Sequence, residues 1–406
     1  MRFTFCGIVF LALAPIMNCY GQGMPLDSLL RINSYEMSIE SGVPTGDGFD
    51  LIMDAVRDAQ FLAIAEEHNV GALNDLTALL FKEMHQREGF NYLALEQGSV
   101  IASWLGDEER RGDLEVISHF VSNYPNAPTF ATDEELKMIA TVGAISGAAS
   151  NPIWGVDQEL GAIHILDRLA ELAPTSEAAS KIKGLITEAR KYELNRFGET
   201  HYISQILKPE DLADLPILFQ AAGGTEVGQL ISALQRSNRI YHNFTQARQG
   251  LATGYESARE REESMKLRFL EQYRMAQAAG DSLPRVLAKL GHWHIFRGIY
   301  RSNVPTFGNF LSEFSLSNGM KTFILSTYVI DSPESWRNTG GVIAEAARSA
   351  AFTVLDFRGL RRYAHQNKIA NLTDDWKRLL FQTDAALIIR GGRTGSYSIV
   401  GGNSHE

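Results

Sequence analysis

The chain has 406 residues, 45% hydrophobic and 21% charged, with a formal net charge of -10. This is ordinary globular composition with ample length for a core, and the acidic balance argues against nucleic acid as a partner. The only cysteines, Cys6 and Cys19, lie so early that a chain cut after Gly21 has neither disulfides nor cysteine metal sites.

Residues 1–21 carry an early Arg2, an apolar run from Phe3 to Pro15, and small or polar residues around Cys19. They read as a secretory signal peptide cleaved after Gly21, because the run is too short and wrongly flanked for a membrane span. A secreted or periplasmic location follows. Ile16 to Cys19 only weakly imitates a lipoprotein box, since Asn18 is bulky where a small residue is expected, so a lipid anchor at Cys19 is the minor alternative. No other stretch is apolar enough to span a bilayer. Residues 22–406 then form a single α/β domain.

Ser28 to Leu51 reads as a polar lead-in with one short helix, and Ile52 to Ala59 as a helix feeding the first strand. In Phe61 to Asn69, FLAIAEEHN, five mostly apolar residues run into two carboxylates and an imidazole, as a buried strand does at the mouth of a sheet. Glu66 and His68 are two apart and share a side while the chain stays extended; Glu67 points the other way. Ala72 to Gln86 has helical spacing of Leu73, Leu76, Leu80 and Met84 up to Gly89, and Phe90 to Glu96 is a second strand ending on a carboxylate. Strand, helix, strand predicts a parallel unit whose strands end at one edge, with Glu96 beside Glu66 and His68.

Ile153 to Asp157 is a short strand that again closes on a carboxylate. From about 160 to 280 the pattern is helical and reads as an inserted cap, its last helix carrying Arg261, Glu262 and Met265 and running to Ala279. Alternation of strand and helix then returns. Arg285 to Leu290 opens onto Gly291-His292-Trp293-His294, and further strands are expected at Thr322 to Val329, Phe352 to Asp356 and Ala385 to Ile389. Six or seven mostly parallel strands with helices on both faces account for these elements. The tail after Gly391 is expected to fray.

Two strand ends bearing E-x-H and H-x-H, plus a third ending in Glu, suit either of two chemistries. Imidazoles with carboxylates bind a divalent metal, or one carboxylate-oriented imidazole takes a proton from water directly. No G-x-S-x-G elbow, P-loop, H-E-x-x-H helix or dinucleotide fingerprint is present, which argues against a serine esterase or nucleotide enzyme.

In order along the chain, Ala65-Glu66-Glu67-His68, Leu95-Glu96, Gly155-Val156-Asp157, Arg261-Glu262-Glu263-Ser264-Met265, Gly291-His292-Trp293-His294, Gly308-Asn309-Phe310-Leu311 and Asp384-Ala385-Ala386-Leu387 resemble the motifs of the erythromycin esterase-like proteins. These are relatives of the Tiki-type metallopeptidases and ChaN-type haem-binding lipoproteins. The resemblance implies an α/β hydrolase with helical arms over a cleft, cleaving an ester, lactone or amide bond of a small-molecule substrate with a His-activated water. It implies His68 as general base, Glu66 and Glu96 orienting it or the water, His294 helping to bind the oxyanion, and Arg261, His292 and Glu67 lining the substrate site. No cofactor is implied by the esterase branch. The Tiki-like branch implies a divalent metal instead, with Glu66, His68 and His294 as ligands, and the haem-binding branch implies haem or iron held by His68, His292 or His294. Ala65 stands where the family has glycine, and both histidine clusters are spaced nearer to the Tiki branch.

Overall fold

The computed structural model describes residues 23–146, 151–193, 203–299 and 303–399, so the leader read over 1–21 lies outside the described residues. Nine strands form the main sheet: β1 (Ser34–Glu40), β2 (Val43–Thr45), β3 (Ala59–Glu66), β4 (Phe90–Gly98), β5 (Ile153–Asp157), β6 (Arg285–Gly291), β7 (Lys321–Ile330), β8 (Phe352–Asp356) and β9 (Ala385–Arg390). Their order is β2-β1-β8-β9-β7-β3-β6-β4-β5. From β9 to β5 every pairing is parallel, whereas β8, β1 and β2 add antiparallel pairings at the other end. The helices that build the site are α1 (Gly71–Glu88), α2 (Asp133–Ile145), α3 (Ile163–Glu171), α4 (Glu226–Arg248), α5 (Gly254–Ala278), α6 (His292–Ile295) and α7 (Phe307–Ser317).

The central strands alternate between two cores, as the two-residue period requires. Leu62 and Ile64 of β3, with Leu93, Leu95 and Leu287, pack against α1 and α2. Ala63 and Ala65, with Ala94, Ala288 and Leu290, pack against α5 and α7. Both faces are covered, so β3 is buried along its whole length, and its apolar run needs no polar alternation. A third core, with Leu166, Leu169, Ile182, Leu230 and Leu234, belongs to α3, α4 and their neighbours and builds the cap. Helix α5, expected as part of that cap, instead buries Met265 and Phe269 in the sheet's second core. Among the described residues, no helix is long and apolar enough to cross a membrane.

The β3-α1-β4 unit is parallel as expected, with β6 inserted between its strands. Two expectations are corrected. The lead-in contains a hairpin, β1-β2, turned by Ser41 and Gly42, whose φ values of 52° and 78° suit a two-residue turn twisted with its strands. Up to Ile399 the tail is pinned and not frayed. Gly395 N–H donates to the Asn69 carbonyl (2.8 Å) and Asp133 N–H to the Ser396 carbonyl (2.7 Å), while the Asp133 carboxylate accepts from the Ile399 N–H (2.9 Å).

Gly308 sets how closely α7 approaches the segment after β6. A Cβ there would lie 1.7 Å from the Ile295 carbonyl oxygen, a backbone atom that cannot swing aside. Gly308→Ala should therefore push α7 from α6 and lower stability by roughly 1–3 kcal/mol, the range for overpacking a tight contact, read as a lower midpoint in urea unfolding. An unchanged midpoint would show that this contact does not hold α6 in place.

Candidate active site

Six parallel strands deliver their C-terminal ends to one edge, where ligand sites of open α/β sheets form. Insertion of β6 puts Gly291 opposite Glu66 and Lys289 opposite Leu95. Glu66 continues the side of Leu62 and Ile64, and Lys289 that of Leu287, so both face α1 and α2. Glu96 follows Ala94 toward α5.

His68 stands where these ends meet. Its Nδ1 lies 3.1 Å from Glu66 Oε1 and its Nε2 3.9 Å from Glu96 Oε2. The imidazole stacks on Phe130 with centroids 4.5 Å apart, and the nearly buried Arg337 donates to the His68 carbonyl oxygen (3.1 Å). Gly291 lies close beside it, since a Cβ there would come within 2.7 Å of His68 Nε2 and displace the ring; its N–H donates to Glu96 Oε2 (2.7 Å).

On the first face, Lys289 Nζ donates to Glu66 Oε2 (2.6 Å) and to Glu135 Oε2 of α2 (3.0 Å). On the second, Arg261 of α5 holds Asp157 through Nε–Oδ1 (3.0 Å) and Nη2–Oδ2 (2.5 Å), and reaches Glu96 Oε1 (2.8 Å). His294 Nδ1 lies 2.6 Å from Glu262 Oε1, and its Nε2 is 3.6 Å from Glu96 Oε1.

Five carboxylates thus face two permanent cations, Lys289 and Arg261, and three charges are left for imidazoles and protons to meet. Burial alone would raise the Glu66 and Glu96 carboxyls. For Glu66 this is outweighed by Lys289 and His68, which hold it below its ordinary value. For Glu96, His294, Arg261, His68 and the Gly291 N–H bring it down to about 2. Burial raises Glu135, with repulsion from Glu66 acting in the same direction against the attraction of Lys289. For His68 burial works against the charged form, yet the hydrogen bond and charge of Glu66, joined by Glu96, push it up to about 9. At neutral pH the imidazole is a cation between two anions.

Of the residues singled out in the sequence, Glu66, His68, Glu96, Arg261 and His294 come together, with Asp157 as the partner of Arg261. Two do not join them. His292 is half-buried between Phe296 and Tyr328; its Nε2 donates to the Thr327 carbonyl (3.1 Å), and burial lowers it to about 4. Glu67 donates its N–H to Thr327 Oγ1 (2.8 Å), and its carboxylate has no hydrogen bond or ion pair among the described residues. Three residues were missed, each with a signal: Lys289 is a lone charge in an apolar strand, Glu135 ends a Thr-x-x-Glu box before an apolar helix, and Glu262 adjoins Arg261.

A cavity of about 570 Å3 opens beside the cluster, with Phe244, Tyr255 and Trp293 on its walls and Arg261, Glu262 and His294 at its buried side. His68 does not line it, but its side chain is 39% exposed, so water reaches the ring. The donor set of a divalent ion is present in composition: Glu66, His68 and Glu96, not His294, each offer an atom within 4.8 Å of the others. As arranged, each carboxylate already holds a protein cation, and the imidazole meets Glu66 through Nδ1 while its Nε2 stays 3.9 Å from Glu96.

No family model and no curated protein matches the sequence. Solved structures do. A histidine-to-asparagine mutant of erythromycin esterase EreC in its open conformation superposes with TM-score 0.53 at 15% identity, covering 86% of this chain and 94% of that one. The chain shares the erythromycin esterase fold. A Bacillus cereus protein gives TM-score 0.56 at 13% identity over 91% of this chain and 98% of its own, and a succinoglycan biosynthesis protein gives 0.55 at 13% identity over 91% and 97%.

Lys289 should carry much of the cost of this edge. Lys289→Met leaves Glu66 and Glu135 buried without their cation, and about 3–5 kcal/mol of stability should be lost at neutral pH. The deficit should shrink as pH falls into the ordinary carboxylate range, because protonation removes the uncompensated charges. Urea unfolding at several pH values measures both; a small, pH-independent loss would contradict the charge balance.

Proposed function

We propose that this chain is a hydrolase that cleaves an ester, lactone or amide bond of a small molecule with a water activated by His68. The observation that carries the reading is one half-exposed imidazole with a carboxylate at each nitrogen, beside a cavity lined by aromatic rings. Glu66 accepts the Nδ1 proton and fixes the ring, which leaves Nε2 as the nitrogen that takes a proton from water. Arg261, held by Asp157 and Glu96, stays charged at every working pH and faces the cavity, where it attracts oxygen charge building up on the acyl group. The fold shared with an esterase agrees with this chemistry. Export is part of the proposal and rests on the leader-like residues 1–21.

A base held at about 9 is strong but mostly protonated at neutral pH. Because kcat/KM reports the free enzyme, hydrolysis of a simple alkyl ester should climb about tenfold per pH unit from pH 7 and level near 9. His68→Ala should lose that limb and most of the rate, by roughly 100-fold or more, while keeping its unfolding midpoint within the range of a surface change. Wild-type rates in the folded variant would sink the assignment of the base.

A second reading follows from the donor atoms of Glu66, His68 and Glu96, at which a divalent cation would supply Lewis acidity. Elemental analysis of protein purified without chelator, followed by assay after dialysis against chelator, separates the two. Stoichiometric metal with activity lost and regained would transfer the proposal to that reading.

A further inference from the structure

The mechanism above uses one carboxylate–imidazole pair, yet the site holds two. Glu66 meets His68 at Nδ1, Glu262 meets His294 at Nδ1, and both Nε2 atoms turn toward the same carboxylate, Glu96, at 3.9 and 3.6 Å. Neither Nε2 is within hydrogen-bond reach of it, so both are open for transfer. The pairs differ in what they face: His294 and Glu262 line the cavity and His68 does not.

Glu262 is 2% exposed. Its Oε1 meets His294 at 2.6 Å, and its Oε2 is buried without a hydrogen-bond partner. A carboxylate buried at such cost, with its one side-chain hydrogen bond among the described residues spent on an imidazole, is built to hold that imidazole.

We infer that Glu262 is a positioning residue which fixes His294, a residue of the cavity lining, with Nε2 turned toward Glu96, and that His294 is the proton donor to the leaving group. The inference rests on the hydrolase reading. His68 Nε2 takes a proton from water as the water oxygen bonds to the carbonyl carbon. The bond from that carbon to the leaving oxygen or nitrogen then breaks, and the departing electron pair takes the proton of His294 Nε2. Solvent returns the proton from His68 to His294, so ester and water become acid and alcohol with nothing left over. Glu262 keeps its hydrogen bond to His294 Nδ1 throughout.

A donor to the leaving group matters only when that group is a poor one. Glu262→Gln and His294→Gln should therefore lower kcat on an alkyl ester by about 10²-fold, within the span of general acid catalysis, and change kcat on the matching p-nitrophenyl ester less than threefold. His68→Ala should cripple both. Equal losses on the two esters, or none on either, overturn the donor role, and His294→Gln decides the matter should Glu262→Gln fail to fold. If the wild-type chain cuts neither ester, the hydrolase reading falls and takes the donor role with it; cleavage without a leaving-group split fells the donor role alone. Nitrogen-15 shifts test the positioning apart from turnover: a proton on His294 Nδ1 is expected, and a neutral ring protonated only at Nε2 overturns it.

Discussion

The ammonium of Lys289, sealed between Glu66 and Glu135, is the interaction on which the rest of this edge depends. A strand interior is a poor place for a lysine, because taking its charge out of water costs several kcal/mol. Two carboxylates at 2.6 and 3.0 Å repay it, and its pKa is held above the ordinary value despite burial. With Glu66 anchored on that side by one oxygen, its other oxygen can only turn to the chain following β3, where His68 lies. A packing problem inside the sheet thereby decides the direction of an imidazole at its rim.

The same logic is repeated on the opposite face with different groups. Arg261 ties Asp157 to Glu96, and Glu96 accepts from the Gly291 N–H with its second oxygen. A guanidinium suits this place because its planar fork serves two carboxylates at once. The network therefore crosses the sheet edge from α2 to α5, and Glu96 belongs to both histidine pairs. Removing it would disturb His68, His294 and Arg261 together, so single replacements here should not be expected to add.

Much of this was legible before the fold was known, for a definite reason. Buried parallel strands must be near-continuous apolar runs, so each strand end was marked by the first carboxylate or imidazole after a run, and parallel order brings such ends to one edge. Glu66, His68, Glu96, Asp157 and His294 all stand at or just past such ends. Polarity hidden inside elements leaves no such mark. Lys289 breaks its run only once, Glu135 looks like an ordinary capping residue, and Glu262 passes for half of a solvated charge pair, because nothing local reports a partner more than 30 positions away. His292 misled for the converse reason: it shares the segment of His294, but its ring turns back to the Thr327 carbonyl. The hairpin at Ser41-Gly42 was signalled by its turn residues, but its strands are short and largely polar, so no apolar run marks them.

Topology gives the cap its place in this scheme. The chain leaves the sheet at Asp157, builds a separate core through α3 and α4, and returns by α5 into β6. Every element bounding that excursion carries part of the network: Asp157 at the exit, Arg261 and Glu262 on the returning helix, Lys289 and Gly291 on the strand it feeds. The Arg261 pairs with Asp157 and Glu96 clamp the two ends of the excursion together. Phe244 of α4 and Tyr255 of α5 stand on the cavity wall, while α5 is held to the sheet by Met265 and Phe269 as well as by those ion pairs. The cap and the charge network thus rest on different cores of one chain.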